Sequence, residues 1–150
     1  MNALKTLPAN FTDALKAMIG LNIYICCCEG RLCYCGKLIK VLDDSLIIYE
    51  GGGERFVWFS NICFFMFYNE NEEFPTPNES TNSELFERFN SFLNEKVELV
   101  NINGSVWAVG GRLVYIENDY LVLIEKSERA AIYVHAINEF SVKDVKIVNY

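Results

Sequence analysis

The chain has 150 residues, 51% of them hydrophobic and 22% charged, with 11 Phe, 8 Tyr and 2 Trp. That is apolar material for one ordinary domain or two very small ones, and too much for a disordered chain. Thirteen Lys and Arg against twenty Asp and Glu leave a formal net charge of −7, which argues against gripping nucleic acid by bulk electrostatics. The single histidine, His135, excludes catalysis by paired imidazoles and multi-histidine metal sites.

In chain order, Asn10 opens a short helix whose apolar positions Phe11, Leu15, Met18 and Ile19 fall three and four apart on one face. The apolar stretch 17–28 is preceded by Asp13, interrupted by Gly20 and Asn22, and has large residues before Cys26. It is therefore not read as a leader peptide, no run is long enough to span a membrane, and the expected location is cytoplasmic. Residues 23–28 read as a first strand closed by Glu29-Gly30, and a long second strand follows, broken at Gly36 where a glycine marks a bend or bulge. Asp43-Asp44 turns into a third strand at 45–50, and a fourth and a fifth follow at 56–59 and 63–67. Gly51-Gly52-Gly53 joins two strands without a following Lys-Ser/Thr, so it reads as a hairpin loop and not as a phosphate cradle. With no nucleophile and base pair elsewhere, the chain is not read as an enzyme, and neither a cofactor nor a small-molecule substrate is expected.

Residues 69–84 are acidic and rich in Pro, Asn, Ser and Thr, the composition of a linker. Beyond them the pattern starts again. Ser83 precedes a helix carrying Leu85, Phe86, Phe89, Phe92 and Leu93, and strands follow at 97–102, around Gly110-Gly111, and at 120–125, 130–134 and 139–142. Laid over one another at an offset of 74 to 75, Gly36-Lys37-Leu38 faces Gly111-Arg112-Leu113, Asp44 faces Asp119, Leu46 faces Leu121 and Glu50 faces Glu125. Glu54-Arg55 also matches Glu128-Arg129. The expected organisation is a tandem duplication with units at 1–68 and 85–150. The acidity divides unevenly: residues 69–84 carry five negative side chains and no positive one, which leaves both units close to neutral.

Five of the six cysteines, Cys26, Cys27, Cys28, Cys33 and Cys35, fall in the first predicted hairpin. The turn sets Cys26 opposite Cys33, and alternation puts Cys27 on the other face. The Cys-x-Cys spacing on a flat ladder suits zinc poorly, so no metal is expected and the thiols are read as reduced packing residues.

A helix followed by five strongly bent antiparallel strands, twice, resembles the Sm and Sm-like RNA-associated proteins. The second copy is more specific: Ile132-Tyr133-Val134-His135-Ala136-Ile137-Asn138 is similar to the Tyr-Lys-His-Ala-Ile-Ser signature of the bacterial Sm-like family called Hfq. The resemblance covers 83–143 well and 11–68 in pattern. It implies a mostly β fold of two tandem small barrels, and rings in which strand four of one barrel pairs with strand five of the next. A two-barrel chain then closes a pseudo-hexamer as a homotrimer, a homo-oligomer held by strand edges. It also implies single-stranded RNA as a partner, contacted by His135 and Tyr133 of the signature region and by Tyr120 near the position of the family's stacking aromatic. Val134 stands where the family has lysine, and the glutamine of the family helix and the basic rim have no counterpart, which implies an altered, weakened RNA site. In the first copy, Val57-Trp58-Phe59-Ser60 holds no histidine, but Trp58 and Phe59 are aromatic platforms suited to bases. The competing expectation is a scaffold that keeps the barrel and has lost the nucleic-acid surface.

Overall fold

A computed structural model describes residues 7–27, 32–68, 83–100, 109–127, 129–135 and 145–148. The turns expected at Glu29-Gly30 and Asn103-Gly104, the linker up to residue 82 and the fifth strand expected at 139–142 lie outside the described residues. Helix α1 (Phe11–Lys16) is capped by the Asn10 side chain, which accepts from the Asp13 N–H at 2.9 Å. Helix α2 (Glu84–Phe89) is capped by Ser83 Oγ, which accepts from the Phe86 N–H at 3.0 Å. Each cap satisfies a donor that the first helical turn leaves without a carbonyl.

The first half then runs through β1 (Asn22–Cys27), β2 (Cys33–Val41), β3 (Ser45–Glu50), β4 (Gly53–Trp58) and β5 (Ile62–Tyr68). The second runs through β6 (Lys96–Leu99), β7 (Val109–Ile116), β8 (Tyr120–Ile124), β9 (Ala130–His135) and β10 (Val145–Ile147). The protein is mostly β and antiparallel, as its alternating runs imply. In place of two separately closed units, however, the strands form one continuous ten-stranded sheet in the order β10-β6-β7-β8-β9-β5-β1-β2-β3-β4. Within each half the order is fifth, first, second, third, fourth. The halves join where β5 pairs with β9, because a fifth-strand edge and a fourth-strand edge each carry hydrogen-bonding groups that a neighbour must satisfy.

Local details repeat as well. The Gly20 N–H donates to the Leu38 carbonyl and the Leu38 N–H to that of Leu21, at 2.8 and 2.9 Å; Asn94, Leu113 and Glu95 reproduce the pair at 2.7 and 3.0 Å. Register slips occur between Leu38 and Lys40 against β3, and between Leu113 and Tyr115 against β8. Gly36 and Gly111 sit where the bent second strand crosses the end of the third. A Cβ at Gly36 would strike the Tyr49 carbonyl oxygen, and one at Gly111 would lie 2.6 Å from the Ile124 oxygen. The glycines that break the second strand in the sequence thus permit close backbone approach.

Two hydrophobic clusters form the core, and neither belongs to one half. The first gathers Leu15, Ile23, Leu38, Leu46 and Ile48 with Tyr120, Val122, Ile124 and Tyr133 of the second half. The other gathers Val97, Leu113, Leu121 and Leu123 with Cys26, Cys63 and Phe64 of the first. Every described residue of β8 is buried, as are all of β9 up to Val134, so these strands read as unbroken apolar runs. No helix among the described residues is long and apolar enough to cross a membrane.

Gly111→Ala is expected to destabilise the fold by about 1–3 kcal/mol in urea denaturation, since rigid backbone must move. Gly53→Ala, where the new methyl group meets open space, should stay within about 0.5 kcal/mol.

Candidate functional site

Polar and aromatic side chains gather at the seam between the halves. The β5·β9 ladder sets Phe64 opposite Val134, Phe65 opposite Tyr133 and Phe67 opposite Ala131. Phe65 stacks on Tyr133 with ring centroids 4.6 Å apart and an interplanar angle of 11°. Phe11, the first residue of α1, lies flat on His135 at 3.9 Å and 3°. Helix α1 is held there by its backbone: the Phe11 N–H donates to Asp119 Oδ1 at 2.8 Å, and the Asn118 N–H donates to the Ala9 carbonyl at 3.1 Å. The Tyr120 hydroxyl donates to the Pro8 carbonyl. The Asn118-Asp119 turn of one half therefore anchors the helix entry of the other.

Burial sets the charge state of this seam. It pushes the His135 imidazole down to about 4, so the ring is neutral at neutral pH. It pushes the Tyr120 and Tyr133 hydroxyls well up, which keeps both protonated. Asp119 is raised by burial too, opposed by the hydrogen bond from Phe11. An unprotonated imidazole stacked on phenylalanine offers no cation to a phosphate.

Of the five residues singled out from the sequence, three come together here: Tyr120 is fully buried, Tyr133 is 1% exposed and His135 is partly covered. Phe59 is 8% exposed, in a 3-10 turn (Phe59–Asn61) after β4, and packs in the first cluster. Trp58 alone is open, at 54% exposure, on β4 at the free end of the sheet. Sequence reasoning passed over Phe11, Phe65 and Asp119, which cover and anchor the seam, because apolar spacing and a turn motif carry no information about the partner strand. It also passed over Phe56, which is 49% exposed and meets Trp58 edge to face at 5.0 Å.

The ladders show what Trp58 and Phe56 correspond to. In the first half Ser45 pairs with Trp58, Leu46 with Val57 and Ile47 with Phe56. In the second, Tyr120 pairs with His135, Leu121 with Val134 and Val122 with Tyr133. Trp58 thus lies level with His135, and Phe56 with Tyr133. The same register sets Glu54 level with Ala131, so the Glu54-Arg55 to Glu128-Arg129 match in the sequence reflects a longer loop before β9 and not a shared position. Beside Phe56 and Trp58, the same face presents Ile47 and Tyr49, with Lys40 opposite Ile47 and Lys37 opposite Tyr49. Among the described residues no group of three or more His, Cys, Asp or Glu is placed to hold a metal ion.

No family model, no curated protein and no solved structure matches the chain.

His135 tests the seam directly. Because its folded value lies below the ordinary 6.5, the unfolded chain takes up the proton first, so its contribution is present above about pH 6.5 and is lost as pH falls toward about 4. Urea denaturation of wild type is expected to lose about 2 kcal/mol more between pH 7 and pH 5 than His135→Phe does. The lone histidine resonance should titrate near 4 and not near 6.5.

Proposed function

We propose that the chain is a non-catalytic, Sm-like assembly module of two tandem small barrels, and that copies join head to tail into a ring. The observation that carries this reading is the strand order. The junction inside the chain joins a fourth-strand edge, β9, to a fifth-strand edge, β5; among the described residues the two edges left open are a fourth strand, β4, and a fifth strand, β10. Repeating the same junction between chains closes a ring in which every edge is paired, and three two-barrel chains complete a pseudo-hexamer.

Burial supports the same reading. Val122, Ile124 and Tyr133 on the second half are covered by the first half. Their counterparts Ile47, Tyr49 and Phe56, together with Trp58, stand unshared at the open end, and Tyr49, Phe56 and Trp58 are each about half exposed. A patch of large apolar side chains next to an unpaired strand edge is the mark of an association surface. The acidic excess belongs mostly to residues 69–84, so near-neutral barrel faces meet without a large repulsion.

Native mass measurement is expected to give three chain masses, and Trp58→Glu combined with Phe56→Glu should give a folded monomer. A wild-type protein that remains monomeric at tens of micromolar would sink the proposal.

A second reading has its own support: on the open face, Trp58, Phe56 and Tyr49 lie beside Lys37 and Lys40, aromatic platforms next to cations, the combination that holds single-stranded RNA without sequence preference. It predicts that short oligo-uridine or oligo-adenine raises fluorescence anisotropy at low salt, that binding weakens steeply with added salt, and that Trp58→Ala reduces it about tenfold while His135→Ala leaves it intact. The absence of binding to either oligomer at low salt favours the scaffold alone.

A further inference from the structure

The cysteines carry an inference independent of assembly. Cys26 of β1 and Cys33 of β2 stand directly opposite one another with Cα atoms 4.2 Å apart, and the Cys27 N–H donates to the Leu32 carbonyl just beyond them at 2.8 Å. They therefore occupy a narrow, non-hydrogen-bonded pair of the antiparallel ladder, where side chains come closest. The register follows from the hairpin in the sequence; the outcome does not, since the two sulfurs are joined in a disulfide where reduced thiols were expected.

The two ends of this bridge differ in access. Cys26 is 1% exposed and packs with Cys63, Phe64 and Val134 in the cluster beneath the second half. Cys33 is only half-buried and adjoins the exposed Leu32. Across β1 from the bridge, Cys26 pairs with Phe64, which in turn pairs with Val134 over the seam. Cys33, packed at the margin of the same cluster, is thus the more accessible end of the bridge, and Cys26 is rooted one strand away from the contact between the halves.

We propose that Cys26–Cys33 is a reversible thiol–disulfide exchange site for small aliphatic thiols and their disulfides, with Cys33 the sulfur under attack. A small thiolate attacks Cys33 Sγ; the new mixed disulfide forms as the Cys26–Cys33 bond breaks, and Cys26 leaves as a thiolate that takes up a proton. A second small thiolate attacks the small-molecule sulfur of the mixed disulfide and releases Cys33 as thiolate. Two small thiols are oxidised to one disulfide while the bridge is reduced to two protein thiols, and the reverse sequence restores it. The apolar surroundings of Cys26 disfavour its thiolate at the moment of release, so its return onto Cys33 competes with the second attack. The exchange is stepwise, through a short-lived mixed disulfide on Cys33.

Equilibration of the whole native protein with glutathione at graded ratios of reduced to oxidised form, followed by alkylation in denaturant without reductant, reads the site. At the oxidised end four of the six cysteines should alkylate, with peptide masses linking Cys26 to Cys33; at the reduced end all six should. The melting temperature is expected to fall by about 5–10 °C across the same transition. Cys33→Ser should remove both the transition and the shift, and Cys35→Ser, at an exposed position, should leave both. Alkylation of all six at every ratio, or a transition unchanged in Cys33→Ser, would overturn the proposal. The wild-type titration decides even where the Cys33 variant fails to fold.

Discussion

The β5·β9 ladder is the contact on which the rest of the architecture depends. It turns two five-stranded units into one sheet, and it brings Phe65 onto Tyr133 and Phe11 onto His135. Without it, β8 and β9 would each expose a face of large apolar side chains that now lies inside the first cluster. Neither half encloses its own core, since Tyr120, Val122 and Tyr133 complete one cluster while Cys26, Cys63 and Phe64 complete the other. A five-stranded unit has little interior of its own, and exchanging side chains across a shared edge enlarges it.

This exchange also governs the chemistry of Tyr120, Tyr133 and His135. A histidine at the end of a fourth strand contacts a ligand only where water and ligand reach it. Here the flat stack with Phe11 and the anchoring of α1 on Asp119 occupy that space, and burial lowers the imidazole pKa. The level positions in the first half hold Trp58 and Phe56, aromatic and without titratable groups, and they remain open. The two halves thus place the same strand position in different situations, one partly covered within the chain and one exposed.

Much of the fold was legible in the residues. Helix starts followed from Asn10 and Ser83, strand three of the first half from the Asp43-Asp44 turn to Glu50, and the Cys26 to Cys33 register from a short hairpin, because caps, turns and alternation act over a few residues. The candidate site was less legible. Tyr120, Tyr133 and His135 were identified as chemically distinctive, and the three do lie together, but their burial depends on Phe11 and Phe65, more than fifty residues away. The level of Trp58 with His135 was hidden by a difference in loop length before the fourth strand, which shifts the linear alignment but not the ladder.

The sequence by itself determined both helices and the strands up to β9, the recurrence of the residue pattern and the near-neutrality of each half, since these rest on local propensity, periodicity and composition; the last strand, β10, it did not place. Only the tertiary structure decided which strand edges pair, which of two equivalent aromatic faces is covered, and that Cys26 and Cys33 are bridged. Those outcomes are settled by contacts between residues distant along the chain, where hydrogen-bonding edges and apolar faces find partners that no local pattern names.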